Sequence, residues 1–206
     1  RDIELQRREN DVVIATFGRG FYILENYSTL RNFKKADLDK AAILLPVKDA
    51  LMYNESFILG LRDKGHLGSS YYNAPNPKPG AVFTYYLKDD VKKIKDLRKE
   101  AEKAKYEKGE KVYYPSMDSL RLEDNQVDPY LLFTITDESG EVVRHIKTGA
   151  KKGLQKVTWN FRTNPAAPVN QRYIPAPDQL FSSEELGYMM APGKYQVVMQ
   201  KYQDGV

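Results

Sequence analysis

The feature that most constrains this fold is a set of alternating segments in the second half of the chain. Residues 130–136 alternate apolar and polar positions, as a half-buried strand does. The apolar side of this segment consists of Leu131, Phe133 and Ile135. Residues 137–140 then supply turn residues ending in a glycine, and residues 141–146 lead back. The pattern predicts a β-hairpin.

The same alternation returns in residues 154–161 and residues 194–201. The first of these segments places Val157, Trp159 and Phe161 on one face, which we expect to be the inner face. Four alternating strands with an aromatic-rich face need an opposing sheet to cover that face. The sequence therefore predicts a mainly β protein, a β-sandwich, with Trp159 as the largest single contributor to its core.

Other segments add to this sandwich. Residues 81–87 are a strongly β-prone strand, and residues 42–46 and 52–61 are candidate earlier strands. Residues 88–128 predict a helical insertion, the helical excursion. It contains a helix over 90–108, capped by Asp89 or Asp90, and a short helix from the cap Ser116 to Asn125. The narrow apolar stripe of the first helix predicts that it lies outside the core.

Composition excludes several function classes. The net charge of +4 is concentrated in residues 88–111, where acids and bases are mixed, so nucleic-acid binding is not expected. The chain has no cysteine, which excludes disulfides, thiol nucleophiles and thiolate metal sites. The sequence has no apolar run of membrane-spanning length. Its start without Met and its end in a turn sequence lead us to expect a piece of a longer protein.

The beginning of the chain carries a resemblance to a known family. After the polar residues 1–10, residues 11–24 predict two short strands broken by Gly18 and Gly20. The sequence DVVIATFGRGFYILEN resembles the closing blade of sortilin-like, BNR-repeat β-propellers of the bacterial glycosyl hydrolase type. Phe17 stands where that family often has His. Arg19, between the two glycines, is expected to hold backbone carbonyls of a blade turn.

Later segments resemble the β-sandwich that follows the propeller in that family, namely residues 46–50, 75–87, 137–144 and 159–162. The hairpin, the Trp159 strand and the Pro-Gly-Lys-Tyr segment at 192–195 also resemble FlgD-like immunoglobulin-type modules. The resemblance implies a remnant of the last propeller blade at 1–26, a linker at 27–45, and an immunoglobulin-like or fibronectin III-like sandwich at 46–206. Leu30, Phe33 and Leu38 of the linker are expected to lie against the sandwich.

The resemblance implies a non-catalytic accessory module of a secreted or periplasmic protein. The module would pack against the upstream β-propeller of the same polypeptide and could mediate protein or glycan interactions. No catalytic residue, metal or cofactor is expected, because His66 and His145 lack neighbouring ligands and the acid pairs Asp89-Asp90 and Glu184-Glu185 are adjacent in sequence. Any hydrolase activity would belong to the missing propeller.

Tyrosines give the sequence its only ligand signal. The alternative function is a carbohydrate-binding module, in which exposed rings stack on a sugar. The candidate rings are Tyr72, Tyr86, Tyr114 and Tyr173. In a strand, one ring of a tyrosine doublet points inward, so ordinary packing competes with this interpretation.

The predicted blade strands at residues 11–24 lead us to expect that this segment pairs with another strand. Residues 11–24 are apolar strands whose partners would lie upstream, and unpaired strands invite pairing. We expect this segment either to add to the edge of its own sandwich or to pair with a second copy. The second outcome would be a dimer that the longer protein does not form.

Overall fold

The computed structural model describes residues 2–18, 20–53, 77–165 and 187–203. In this part of the chain the protein is mainly β, with three antiparallel sheets of three strands each and two α-helices. The strands are β1 Asp2–Gln6, β2 Asp11–Ala15, β3 Phe21–Leu24, β4 Ala42–Leu44, β5 Ala81–Leu87, β6 Tyr130–Thr136, β7 Val142–Gly149, β8 Gly153–Trp159 and β9 Gln196–Tyr202.

Two of the sheets bury side chains against each other and form the body of the protein. One has the strand order β4-β5-β8 and the other β7-β6-β9. Phe133 of β6 contacts both Phe83 and Tyr85 of β5, with ring centroids 6.1 Å and 5.2 Å apart. The apolar side of β6 is fully buried, as its alternation predicts. We call these paired sheets the two-sheet body.

Most predicted strands of the body are confirmed. The predicted hairpin is present as the antiparallel pair β6 and β7, and β5 covers the predicted residues 81–87. The predicted strand at 42–46 is present as β4. The predicted strand at 52–61 lies outside the described residues from residue 54 onward, and residues 52 and 53 are not in a strand.

One predicted inner residue leaves its strand. β8 ends at Trp159, so the expectation that Phe161 continues the strand is wrong. Phe161 has a φ of 59°, in the left-handed region, which turns the chain out of the sheet. Its ring still packs edge-on against Trp159, with centroids 5.7 Å apart.

The first part of the linker lies on the outer surface of the sheet that contains β5, and its last residues form β4 of that sheet. Phe33 packs edge-on against Tyr86, with ring centroids 5.5 Å apart. The Tyr86 hydroxyl donates to the Leu38 carbonyl at 3.3 Å, and Lys156 Nζ donates to the Glu25 carbonyl at 3.1 Å. The linker thus carries the N-terminal strands to a defined place beside the body.

The helical excursion consists of α1 Ile94–Glu107 and α2 Met117–Asn125. The predicted cap of α2 is confirmed, because Ser116 Oγ accepts from the Ser119 amide at 3.2 Å. The predicted start of α1 is wrong: Asp90 does not cap it but accepts from the Lys152 amide at 2.6 Å, which ties the excursion to the residue just before β8. Neither helix contains a buried residue, so the excursion stays outside the core, as its narrow stripe predicts.

The N-terminal sheet has the order β1-β2-β3. The predicted hairpin at residues 11–24 is present, with Gly18 and Gly20 at positive φ in its turn. Residues 1–10 were expected to be a polar lead-in, but Asp2–Gln6 forms a strand that pairs along β2. The hairpin therefore extends this separate sheet and does not add to an edge of the two-sheet body.

Candidate interaction surface

One face of the N-terminal sheet carries no charge. The register aligns Ile3 with Ile14 and Tyr22, and Leu5 with Val12 and Leu24. Residues directly opposite each other in a sheet point to the same side, so all of these side chains share a face. We call it the neutral face, and it consists of Ile3, Leu5, Val12, Ile14, Tyr22 and Leu24.

The neutral face is open to solvent. Ile3 is 64% exposed and Tyr22 is 55% exposed, and they are the two ends of an apolar row that has Ile14 in its middle. Leu5 and Leu24, the next row along, are also exposed. Single exposed apolar residues are ordinary, but a contiguous apolar patch marks an interaction surface.

The opposite face combines apolar and acidic residues, and we call it the acidic face. Phe21 and Ile23 on β3 are 75% and 63% exposed. Their partners across the sheet include the β1 acids Asp2 and Glu4. Within the part of the chain that the structure describes, the sheet therefore has large exposed apolar side chains on both faces. A sheet needs another layer to bury an apolar face, and here neither face is buried by such a layer.

Polar contacts hold the sheet beside the body. The Asp11 carboxylate accepts from the Asn26 amide at 2.9 Å, and the Asn10 carbonyl accepts from the Tyr27 amide at 2.8 Å. Lys48 Nζ lies 2.8 Å from the Glu9 carboxylate, and this ion pair lowers the pKa of Glu9. These contacts lie around the β1–β2 turn and the end of β3 and leave the two faces free.

Two of the four predicted glycan-binding tyrosines fall on described residues. Tyr86 holds the linker through Phe33 and Leu38, so its ring is engaged within the protein. Tyr114 is 84% exposed between α1 and α2. Tyr72 and Tyr173 lie outside the described residues. Tyr85, the doublet partner of Tyr86, is buried in the core, as the strand argument predicts.

A different tyrosine pair makes ring contact on the outer side of β6 and β9. The rings of Tyr130 and Tyr202 stack 5.0 Å apart with an interplanar angle of 5°. Lys147 Nζ lies 4.0 Å from the centre of the Tyr130 ring, a cation–π contact. These rings stack face to face and are not side by side, so they brace the sheet and do not form a flat sugar platform.

The described residues contain no cluster of side chains that would hold a metal ion. No group of three or more His, Asp or Glu lies close enough among them to bind an ion. His145 is exposed, and its Nδ1 lies 3.3 Å from the Thr134 hydroxyl. His66, Arg19 and the acid pair at 184–185 lie outside the described residues.

Ile3 and Leu5 are the surface residues that sequence reasoning missed. Residues 2–6 alternate acid or amide with apolar residues, which is a strand pattern. This pattern was overlooked because the acidic residues of the segment are also typical of a solvated tail. The period of two was nevertheless a sufficient signal to find this strand.

Comparison with known proteins identifies no relative of this chain. No family model matches the sequence, and no curated protein or solved structure matches the chain. Neither of the helices described above is long and apolar enough to cross a membrane.

Proposed function

We propose that this chain is a non-catalytic accessory module of a secreted or periplasmic sortilin-like, BNR-repeat protein. In this proposal the two-sheet body is an immunoglobulin-like sandwich, and β1–β3 are strands of the closing blade of a β-propeller in the same polypeptide. The module packs against that propeller. Its work is to complete the last blade and to fix the sandwich beside it.

The neutral face is the observation that carries the proposal. Propeller blades are small antiparallel sheets arranged radially, and each blade packs its faces against its neighbours. A three-stranded antiparallel sheet with large apolar side chains exposed on both faces fits such a position. A sheet at the free surface of a finished domain would instead alternate apolar and polar faces.

The strand order of the body supports the immunoglobulin-like part. Successive strands cross between the two sheets after β5, after β7 and after β8, as in Greek-key sandwiches. Tyr195, just before β9, donates its hydroxyl to the Ala191 carbonyl at 2.6 Å. This contact resembles the tyrosine corner of that fold, in which a tyrosine at the start of a late strand bonds back to upstream backbone, and it supports the proposal.

The proposal is tested in the longer polypeptide, in which the propeller precedes Arg1. The double variant I3K/Y22K places two charges on the neutral face. In the chain of residues 1–206 these positions are exposed, so the melting temperature should barely change. In the longer polypeptide the same charges would be buried without partners, so melting should fall by several degrees or more.

The control variant M117K/L122K places two charges on α2, at positions of similar exposure. It should leave both polypeptides unchanged. Equal effects of I3K/Y22K on the short and the long polypeptide would refute the docking role of the neutral face. A gene in which no propeller sequence precedes Arg1 would refute the proposal outright.

A further inference from the structure

The two long edges of the sheet β7-β6-β9 differ. The edge at β7 is covered by Asn164, whose amide donates to the Val143 carbonyl and whose side-chain oxygen accepts from the His145 amide, both at 3.1 Å. The edge at β9 has no such cover from any described residue. β9 is seven residues long and contains no proline. A long uncovered edge strand is a template for pairing with another strand.

The inner side chains of this sheet become less buried towards the β9 edge. Phe133 and Leu131 of the central strand β6 have no exposed surface. Val197 and Met199, which extend the same inner side along β9, pack on the core but are only partly buried. On the outer side of β9, Val198 is 52% exposed. A strand added beside β9 would continue the hydrogen-bond ladder and cover the inner residues further.

We propose that β9 of one copy pairs antiparallel with β9 of a second copy, about a two-fold axis at Met199. In this register Met199 faces Met199, Val197 faces Lys201, and Val198 faces Gln200. No position sets like charges opposite each other, which would destabilise the pair. The strand is thus complementary to itself, as an isologous two-fold interface requires. The product is a continuous six-stranded sheet.

This surface is distinct from the neutral face. It lies on the edge of the two-sheet body, whereas the proposed propeller contact uses β1–β3. Experiments can therefore refute the dimer proposal and the propeller proposal independently of each other. One strand pair is a contact at the small end of specific interfaces. The dimer is therefore reversible and dissociates on dilution.

The test is sedimentation of residues 1–206 over a wide range of concentration. The unchanged chain should pass from monomer to dimer as concentration rises. In V198K/Q200K each new lysine faces the other new lysine across the axis, so dimerisation should weaken by about tenfold or more. The control T134K/T136K adds the same charges to the same outer face on β6, one strand from the edge, and should dimerise like the unchanged chain.

A measurement without substitutions guards against a misfolded variant. Amide exchange of β9 in the unchanged chain should slow as concentration rises, while exchange in β6 stays constant. A monomer at every concentration overturns the proposal. So does a dimer that V198K/Q200K leaves intact, or one that is lost in I3K/Y22K, because the contact would then lie on the N-terminal sheet.

Discussion

At the scale of single residues, Trp159 contacts both the turn that follows its own strand and the start of β9. It is 3% exposed, and its indole N–H donates to the Arg162 carbonyl at 2.9 Å. Its ring packs edge-on against Phe161 and against Tyr195, the latter with centroids 5.1 Å apart. One side chain thus ties the end of β8 to the turn after it and to the start of β9.

Truncating this residue should be severely destabilising. Trp159→Ala removes the buried ring and both edge contacts, which typically costs ~3–5 kcal/mol, a large part of the stability of a domain. Urea unfolding followed by circular dichroism measures the loss. Trp159→Phe keeps an aromatic ring and removes the N–H donor, so it should lose about 1–3 kcal/mol. An alanine variant as stable as the unchanged protein would contradict the buried position.

Sequence predicted the inner residues where the chain stays regular. Phe133, Tyr85 and Trp159 are buried because alternation in a strand fixes the side to which a residue points. Phe161 was mispredicted because a left-handed residue ends the alternation, and nothing in the residue type indicates it. The backbone of Gly80 is a similar case: a Cβ there would lie 2.1 Å from the Trp159 carbonyl oxygen, a crowding that only the fold reveals.

At the scale of elements, one arginine holds the helical excursion together. Arg98 of α1 donates to both carboxylate oxygens of Glu123 of α2, at 2.5 Å and 2.8 Å, and also to Glu102. The Glu123 side chain is only 2% exposed. Because neither helix buries a side chain in the core, we expect this forked ion pair to set the packing of the two helices.

The excursion should loosen in acid before the body does. The hydrogen bonds from Arg98 lower the pKa of Glu123 below its ordinary value of 4.5. A carboxylate with a lowered pKa in the folded state stabilises the fold above pH 4.5, and that stabilisation is lost as the pH falls through the folded pKa. The protection factors of amides in α1 and α2, which correct for the slower intrinsic exchange in acid, should therefore fall as the pH drops below 4.5, while those in β6 stay high.

Glu123→Gln should accelerate exchange in the two helices already at neutral pH and remove this acid dependence. The matched control is Glu107→Gln, which affects an exposed pair with Lys103 separated by 4.0 Å. Exposed pairs of this spacing contribute little, so the control should behave like the unchanged chain. Equal exchange in the helices of all three proteins would show that the ion pair does not hold the excursion.

Element types were predicted well where a binary pattern was clear. The strands of the body lie where the alternating pattern predicts them, and α2 begins after the predicted cap Ser116. Alternation and capping are local signals, so the sequence reveals them directly. The start of α1 was misplaced, since Asp90 instead forms a long-range contact with Lys152. β1 was missed because acids in its alternate positions resemble a solvated tail.

At the scale of the whole molecule, the protein combines a body with a core and a sheet without one. In the described part of the chain, the side chains of β5 and β6 bury each other, whereas Ile3, Tyr22 and Phe21 of the N-terminal sheet remain exposed. The sequence indicates the apolar strands at residues 11–24. It does not indicate that β1 joins them as a third strand, or that both faces of the resulting sheet stay exposed. That arrangement depends on the pairing of β1 with β2, which brings the apolar residues into rows.

The central proposal is that this sheet would be buried against further β structure in a longer polypeptide. Amide hydrogen exchange at residues 3–24, compared between residues 1–206 and the longer polypeptide, tests it most directly. We predict that exchange in β1 and β3 is fast in the short chain and slows markedly in the long one, with β5 and β6 unchanged as internal controls. Equal exchange of β1 and β3 in both polypeptides would contradict the claim.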